Sequence, residues 1–190
     1  FRKITWEHTA LTAADRLAMD SLPASYREYL EEANESLLRE KADRERRAMA
    51  MLRHTPAAPD SLLLDSIVAR YRGKAVVVDM WYTRCGWCIK GFMDTKAIRD
   101  ELAGRGVVFV YIDNTAWSST DAWKYIAGDL NGEHYRLPLK QWKHILENDY
   151  HGTGAPTYAF YDRTGRLRNV HCGYMDAPLY KKQLTKLLEK

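Results

Sequence analysis

The sequence predicts an α/β protein with a central mixed sheet flanked by helices, a helical insertion and an N-terminal helical extension. Three observations carry this. Two β-branched runs, "AVVVDMWY" (75–82) and "RGVVFVYID" (105–113), enclose a helical stretch with the spacing of a parallel crossover unit. "PTYAFYDRTGRLRNVHCG" (156–173) reads as two strands around a turn at Arg163 to Gly165, the hairpin signal. Residues 1–54 are almost free of Gly and Pro and rich in good helix formers.

Within the extension, "LTAADRLAMDSL" and "SYREYLEEANESLLREKADRERRAMAML" read as helices. Leu30, Leu37 and Met51 fall at multiples of seven, with Leu38, Ala48 and Leu52 beside them and Arg44 interrupting the series. One apolar stripe on so polar a helix predicts packing on another domain or subunit, with the charged run 39–47 as a solvated face. "HTPAAPD" (54–60) has two prolines and no periodicity. The expected division is therefore a helical extension (1–54), a linker (55–60) and a domain over 61–190.

That domain opens with a helix in "DSLLLDSIVARYRGK", with Leu64, Val68 and Tyr71 on one face, Asp60 as its N-cap and Gly73 as its stop. Residues 86–103 form the crossover helix between the two β-branched runs. From Asn114 to Gly154 the pattern turns helical twice, in "TDAWKYIAGDL" and "LKQWKHILENDY", with "GEHYRL" as the connection. In "DAPLYKKQLTKLLEK", Tyr180, Leu184, Leu187 and Leu188 make a closing amphipathic helix.

With 190 residues and 46% hydrophobic content, the chain can bury one substantial core. No stretch approaches the roughly 18 to 20 apolar residues of a spanning helix. A chain beginning at Phe1 instead of methionine is expected to be a processed or cut product, with any address segment removed. Residues 1–60 hold 10 Lys and Arg against 11 Asp and Glu, and the rest hold 19 against 14. That mild basic excess lacks the Lys/Arg clusters of a nucleic-acid surface, so no nucleic-acid partner is expected. Three cysteines are too few for a disulfide-built scaffold.

The chemistry lies in "VVVDMWYTRCGWCIKG" (76–91), where Cys85 and Cys88 follow a buried-type strand and open a helix. At a helix N-terminus the unpaired backbone N–H groups and the dipole stabilise a thiolate, which makes Cys85 the nucleophile. Cys88, one turn on, is placed to attack a mixed disulfide formed on Cys85. Two alternatives stand beside this redox pair. The cysteines are half of a zinc site, for which Cys172 and His171 are the available further ligands, or they are two inert core thiols.

"VVVDMWYTRCGWCIKGF" together with "GTGAPTYAFYDRTGR" resembles the thioredoxin-like family, specifically the envelope thiol-disulfide oxidoreductases of the TlpA and ResA type. The resemblance covers roughly residues 61–190 and implies a thioredoxin-like fold. It also implies that Asp79, six positions before Cys85, is a buried carboxylate accepting the proton of Cys88. It places Trp81 in packing beside the site and Pro156 as a cis-proline facing the cysteines, a bond for which cis is inexpensive. The backbone of Ala155 then pairs with an incoming peptide, and Gly86 and Trp87 complete the substrate-facing set. The dipeptide Gly86-Trp87 stands where the most reducing thioredoxins carry Gly-Pro, which leaves the direction of electron flow open. Cys172 is expected to be a small buried hydrophobe.

The expected function is thus thiol-disulfide exchange, chiefly the reduction of protein disulfides, with no cofactor and no metal. An oxidase or isomerase of the same fold and a non-catalytic binding or assembly module are the alternatives. The expected partners are a disulfide-bearing protein and an upstream thiol electron donor, for which the resemblance allows a membrane-bound protein. The resemblance implies a periplasmic or other extracytoplasmic location, with tethering through a segment absent from this chain. No proline occurs in the six residues before Cys85, which disfavours a peroxiredoxin-like site. Neither G-x-S-x-G nor a Gly-rich phosphate loop is present.

Overall fold

The structure, a computed structural model, describes residues 9–189; residues 1–8 of the expected extension and residue 190 lie outside the described residues. The strands are β1 (Ala75–Trp81), β2 (Val107–Asn114), β3 (Glu133–Leu137), β4 (Thr157–Tyr161) and β5 (Leu167–Cys172). The helices are α1 (Ala13–Met19), α2 (Ala24–Met51), α3 (Asp60–Val68), α4 (Gly86–Leu102), α5 (Thr120–Ala127), α6 (Leu139–His144) and α7 (Ala177–Leu188). A π-helical turn, Ile145–Asp149, continues α6.

All seven residues of β1 are buried, as a strand covered on both faces requires. It occupies the centre of one sheet ordered β3-β2-β1-β4-β5. β2 runs parallel to β1 and β3 parallel to β2, while β4 is antiparallel to β1 and β5 antiparallel to β4. Side chains alternate across the sheet. Val77 and Trp81 share one face with Phe109, Tyr111, Tyr158 and Phe160, packed against α4, α5 and α7. Val76, Val78 and Met80 share the other with Val110, Ile112 and Ala159, packed against α3, α6 and the π-helical turn.

Residues 132–137 depart from the sequence reading, because "GEHYRL" is not a mere connection: it supplies the edge strand β3. Its five residues carry Glu, His and Arg, so composition hides it, and its partners are remote. Its inner edge pairs with β2, and Arg53 N–H, just beyond α2, donates to His134 O at 2.8 Å from outside. A second correction concerns Asp60, which is the first residue of α3 and not its N-cap; Pro59 holds that position. The Asp60 carboxylate instead takes hydrogen bonds from Lys140 and Gln141 of α6, which hold it below the usual carboxylate range.

α2 lies against α5, and the run 39–47 is more than a solvated face. Arg44, which breaks the heptad series, stacks over the Tyr125 ring at 4.1 Å and pairs with Asp129 at 2.8 Å. Arg47 donates to Gly128 O at 2.8 Å, and Lys124 pairs with Glu45. Of the expected stripe Leu30, Leu37 and Ala48 are buried, Met51 and Leu52 partly so, and Leu38 is exposed. Leu30 and Leu37 pack with Met19 of α1, and Asn34 on the same stripe accepts the Leu11 N–H at 2.8 Å.

The approach of α2 to α5 depends on a missing side chain. A Cβ on Gly128 would stand 2.7 Å from the Arg44 Cα, backbone that cannot swing aside. Gly128→Ala is therefore expected to destabilise the protein by about 1 to 3 kcal/mol through overpacking. Thermal unfolding checks this; an unchanged melting temperature would mean that the helix contact is looser than described.

Candidate active site

β1 delivers the chain to the site through a turn, Tyr82 to Cys85, closed by Cys85 N–H donating to Tyr82 O at 3.0 Å. Cys85 is then the N-cap of α4, and its sulfur accepts the Cys88 N–H at 3.1 Å, so one orphan donor of the helix start is spent on this atom. Cys85 and Cys88 are joined by a disulfide. Cys85 is 5% exposed and Cys88 fully buried, so what little exposure the pair has belongs to the first cysteine. Among the described residues, no three His, Cys, Asp or Glu side chains gather as a metal site requires.

Asp79 is buried on the α4 side of β1, with Tyr111 and Tyr158 as its neighbours on the adjoining strands. Burial pushes its carboxyl up to about 8, with the Arg99 charge opposing, and its Oδ1 has no hydrogen-bond partner. α4 lies directly over this rung: a Cβ on Gly91, three residues after Cys88, would stand 2.6 Å from the Tyr158 hydroxyl. Arg99, buried on the same helix, donates to the Tyr111 hydroxyl at 3.0 Å.

In the loop before β4, which joins β1 through the Met80–Thr157 pair, the Ala155–Pro156 peptide is cis. Gly173, after β5, donates its N–H to Pro156 O at 2.8 Å and ties that loop to the end of the hairpin. Trp87 is 61% exposed, and its ring meets Tyr174 with centroids 5.4 Å apart. Tyr174 is held by its hydroxyl, which donates to Asp94 at 2.5 Å, and by Lys90 over its ring. On the other side Tyr82 and Trp117 pack edge to face at 5.1 Å, above the buried Trp142.

Cys85, Gly86, Trp87 and Cys88 stand together at the start of α4, Asp79 lies two residues before the end of β1, and Ala155 and Pro156 directly precede β4, whose Thr157 pairs with Met80 of β1. Trp81 stands apart from the substrate-facing set: it is completely buried, edge to face with Phe92 at 5.2 Å, and offers a substrate no surface. The expectation of a buried Cys172 is also corrected, since its thiol is free and exposed. β5 is an edge strand, so its last residue has a neighbour on one side only. Tyr174, Trp117, Asp113 and Ser118 escaped the sequence reading because no local motif marks them.

A bonded Cys-x-x-Cys capping the helix after the central strand, in a chain with a buried carboxyl on that strand and a cis-proline before β4, fits the fold class of the thiol-disulfide oxidoreductases. The chain belongs to the thioredoxin-like family: the model of the thioredoxin-like domain matches residues 64–188. Among solved structures, a thiol:disulfide interchange protein of the thioredoxin family from Chlorobium tepidum superposes with TM-score 0.54 and 21% identity, over 63% of this chain and 83% of that one. The thioredoxin domain of a thiol-disulfide oxidoreductase from Bacteroides vulgatus gives 0.52 and 21%, over 63% and 83%. An exposed lipoprotein thioredoxin of Streptococcus pneumoniae gives 0.52 and 25%, over 63% and 90%. No curated protein matches the sequence.

Proposed function

We propose that this protein reduces disulfides of protein substrates, cycling Cys85 and Cys88 between dithiol and disulfide. The observation that carries the reading is the asymmetry of the pair: Cys85 caps a helix and keeps a small exposure, while Cys88 is completely buried. The Cys85 thiolate attacks one sulfur of the substrate disulfide, forming a mixed disulfide and releasing the first substrate thiolate, which takes a proton from water. Cys88 then gives its proton to ionised Asp79 and attacks the Cys85 sulfur. The Cys85–Cys88 bond forms, the second substrate thiolate leaves, and two electrons have passed to the substrate. A thiol donor restores the dithiol.

A carboxyl raised by burial to about 8 is a far stronger base than an ordinary aspartate, which suits it to take the proton of a thiol. The reductive direction is supported by what surrounds Cys85. Its thiolate is stabilised by one helix start; the intervening Gly86 and Trp87 are uncharged, and Arg84 is exposed and screened by solvent. A strongly oxidising pair requires a more heavily stabilised reduced form than this. The residues assigned to substrate are Gly86, Trp87 and the Ala155–Pro156 loop, with Trp81 acting from within as packing.

The unit that does this work is residues 61–190, joined through 55–60 to the extension. An extracytoplasmic location fits the reading, the Streptococcus pneumoniae relative being an exposed lipoprotein by name. Among the described residues no helix is long and apolar enough to cross a membrane. Trapping tests the mechanism: reduced Cys88→Ser protein mixed with a disulfide-bearing protein is expected to accumulate a mixed disulfide through Cys85, visible on non-reducing gels. Capture through Cys172 instead, with Cys85 left free, would refute it.

A further inference from the structure

Thr83 occupies the second position of the turn that brings the chain from β1 to Cys85, and the turn's closing bond uses Cys85 N–H and Tyr82 O. The N–H of that second position has no acceptor within such a turn. It donates instead to Ser118 Oγ at 2.9 Å, 35 residues away in the loop between β2 and α5. Ser118 is 1% exposed, and its hydroxyl proton goes to Oδ1 of Asp113, which is completely buried.

Asp113 is itself fixed. Its Oδ2 accepts from Arg136 Nε at 3.1 Å, and that guanidinium also donates to Ser118 O at 2.6 Å and Thr120 Oγ1 at 3.1 Å. Asp113 stands opposite Trp81 in the β1–β2 register, two residues beyond the Tyr111 that faces Asp79. A carboxylate, a guanidinium and a hydroxyl, each used on several sides, thus present one oxygen to the backbone two residues before Cys85. A network this fully satisfied holds its members more firmly than isolated hydrogen bonds do.

We propose that Ser118, held by Asp113 and Arg136, is a positioning residue for Cys85: it anchors the Tyr82–Cys85 turn so that the sulfur stays on the N-terminal N–H groups of α4. The inference rests on the oxidoreductase reading in assigning Cys85 the attack. Through this anchor the loop after β2 sets the reactivity of a nucleophile that it does not touch.

The test is the pH dependence of Cys85 alkylation in the fully reduced protein, followed by mass spectrometry of the peptide that carries it. Ser118→Ala is expected to slow alkylation at pH 7 about tenfold and to move the profile upward. Ser118→Thr, which keeps the hydroxyl, is expected to stay within twofold of wild type. Thr83→Pro deletes the N–H donor at a turn position that suits proline, and is expected to match Ser118→Ala should that variant fold poorly. Thr115→Ala alters the same loop outside this network, where its hydroxyl donates to Leu137 O, and is expected to leave the profile unmoved. Equal profiles for Ser118→Ala and wild type, or an equal slowing in Thr115→Ala, would overturn the inference. A wild-type Cys85 that titrates like an ordinary thiol would instead overturn the oxidoreductase reading; the anchor stands or falls on the difference between variants.

Discussion

Cys85→Ser protein is expected to lose disulfide reduction by at least about a thousandfold, because a serine hydroxyl at neutral pH supplies almost no anion to attack sulfur. The effect is large because nothing else can take over. Cys88 is completely buried, and Cys172, although exposed, caps no helix and has no second cysteine beside it. The measurement is the steady-state rate with a protein disulfide and an excess of a dithiol donor. The substitution removes one buried sulfur for a smaller oxygen, so the fold is expected to survive, and circular dichroism separates lost chemistry from lost structure. A rate within tenfold of wild type would remove Cys85 from the mechanism.

The second large effect concerns Asp79 and has two readouts of opposite sign. In the folded protein its carboxyl is pushed up to about 8, against 3.8 for an ordinary aspartate. Between those values the folded state keeps a proton that the unfolded chain has released, so stability falls as pH rises from about 4 to about 8 and levels off above. Asp79→Asn deletes that slope. The oxidised variant is expected to gain on wild type steadily through this window, reaching about 3 to 5 kcal/mol above pH 8. A shallower slope below about 6 remains, because burial pushes the Asp113 carboxyl up to about 6 against the hydrogen bonds from Ser118 and Arg136.

Asp79→Asn is also expected to slow release of the mixed disulfide about a hundredfold, since the amide cannot take the proton from Cys88. Denaturant unfolding across pH and single-turnover release are the measurements. A variant that is no more stable than wild type at pH 9 would show that the charge is better solvated than its burial indicates. One that releases substrate at the wild-type rate would show that another base serves Cys88.

The parts of the fold legible in the sequence are those whose cause is local. β1 and α4 announce themselves through a continuous β-branched run and a cysteine pair at a helix start, and the β4–β5 hairpin through alternation broken at Gly165. β3 was illegible because its burial comes from remote partners: His134 is stacked on Tyr111 at 4.8 Å and lies edge to face with Trp123 at 5.9 Å. The same reason hid Arg44, which reads as an interruption of a heptad and serves as an anchor once Asp129 and Tyr125 are brought to it.

The site divides in the same way. Of the proposed site residues, Cys85 and Cys88 stand out by their own spacing, while Asp79 and Pro156 are named through the family resemblance. Ser118 has an unremarkable neighbourhood in "NTAWSST", and Tyr174 follows a glycine in a surface loop. What distinguishes them is the backbone N–H of Thr83 and the ring of Trp87, which reach them only through the tertiary fold. Cys172 shows the converse error. Cysteine is usually buried, but an edge strand ends on this residue, and position in the sheet overrides residue type.

The most direct test of the reductase account is the reduction potential of the Cys85/Cys88 pair, taken by equilibration in thiol buffers of graded poise followed by trapping of the free thiols. Modest stabilisation of the Cys85 thiolate predicts a value at or below about −200 mV, in the range of glutaredoxins and thioredoxin. A value near −120 mV would contradict it, because such a pair donates its disulfide to other proteins instead of removing theirs.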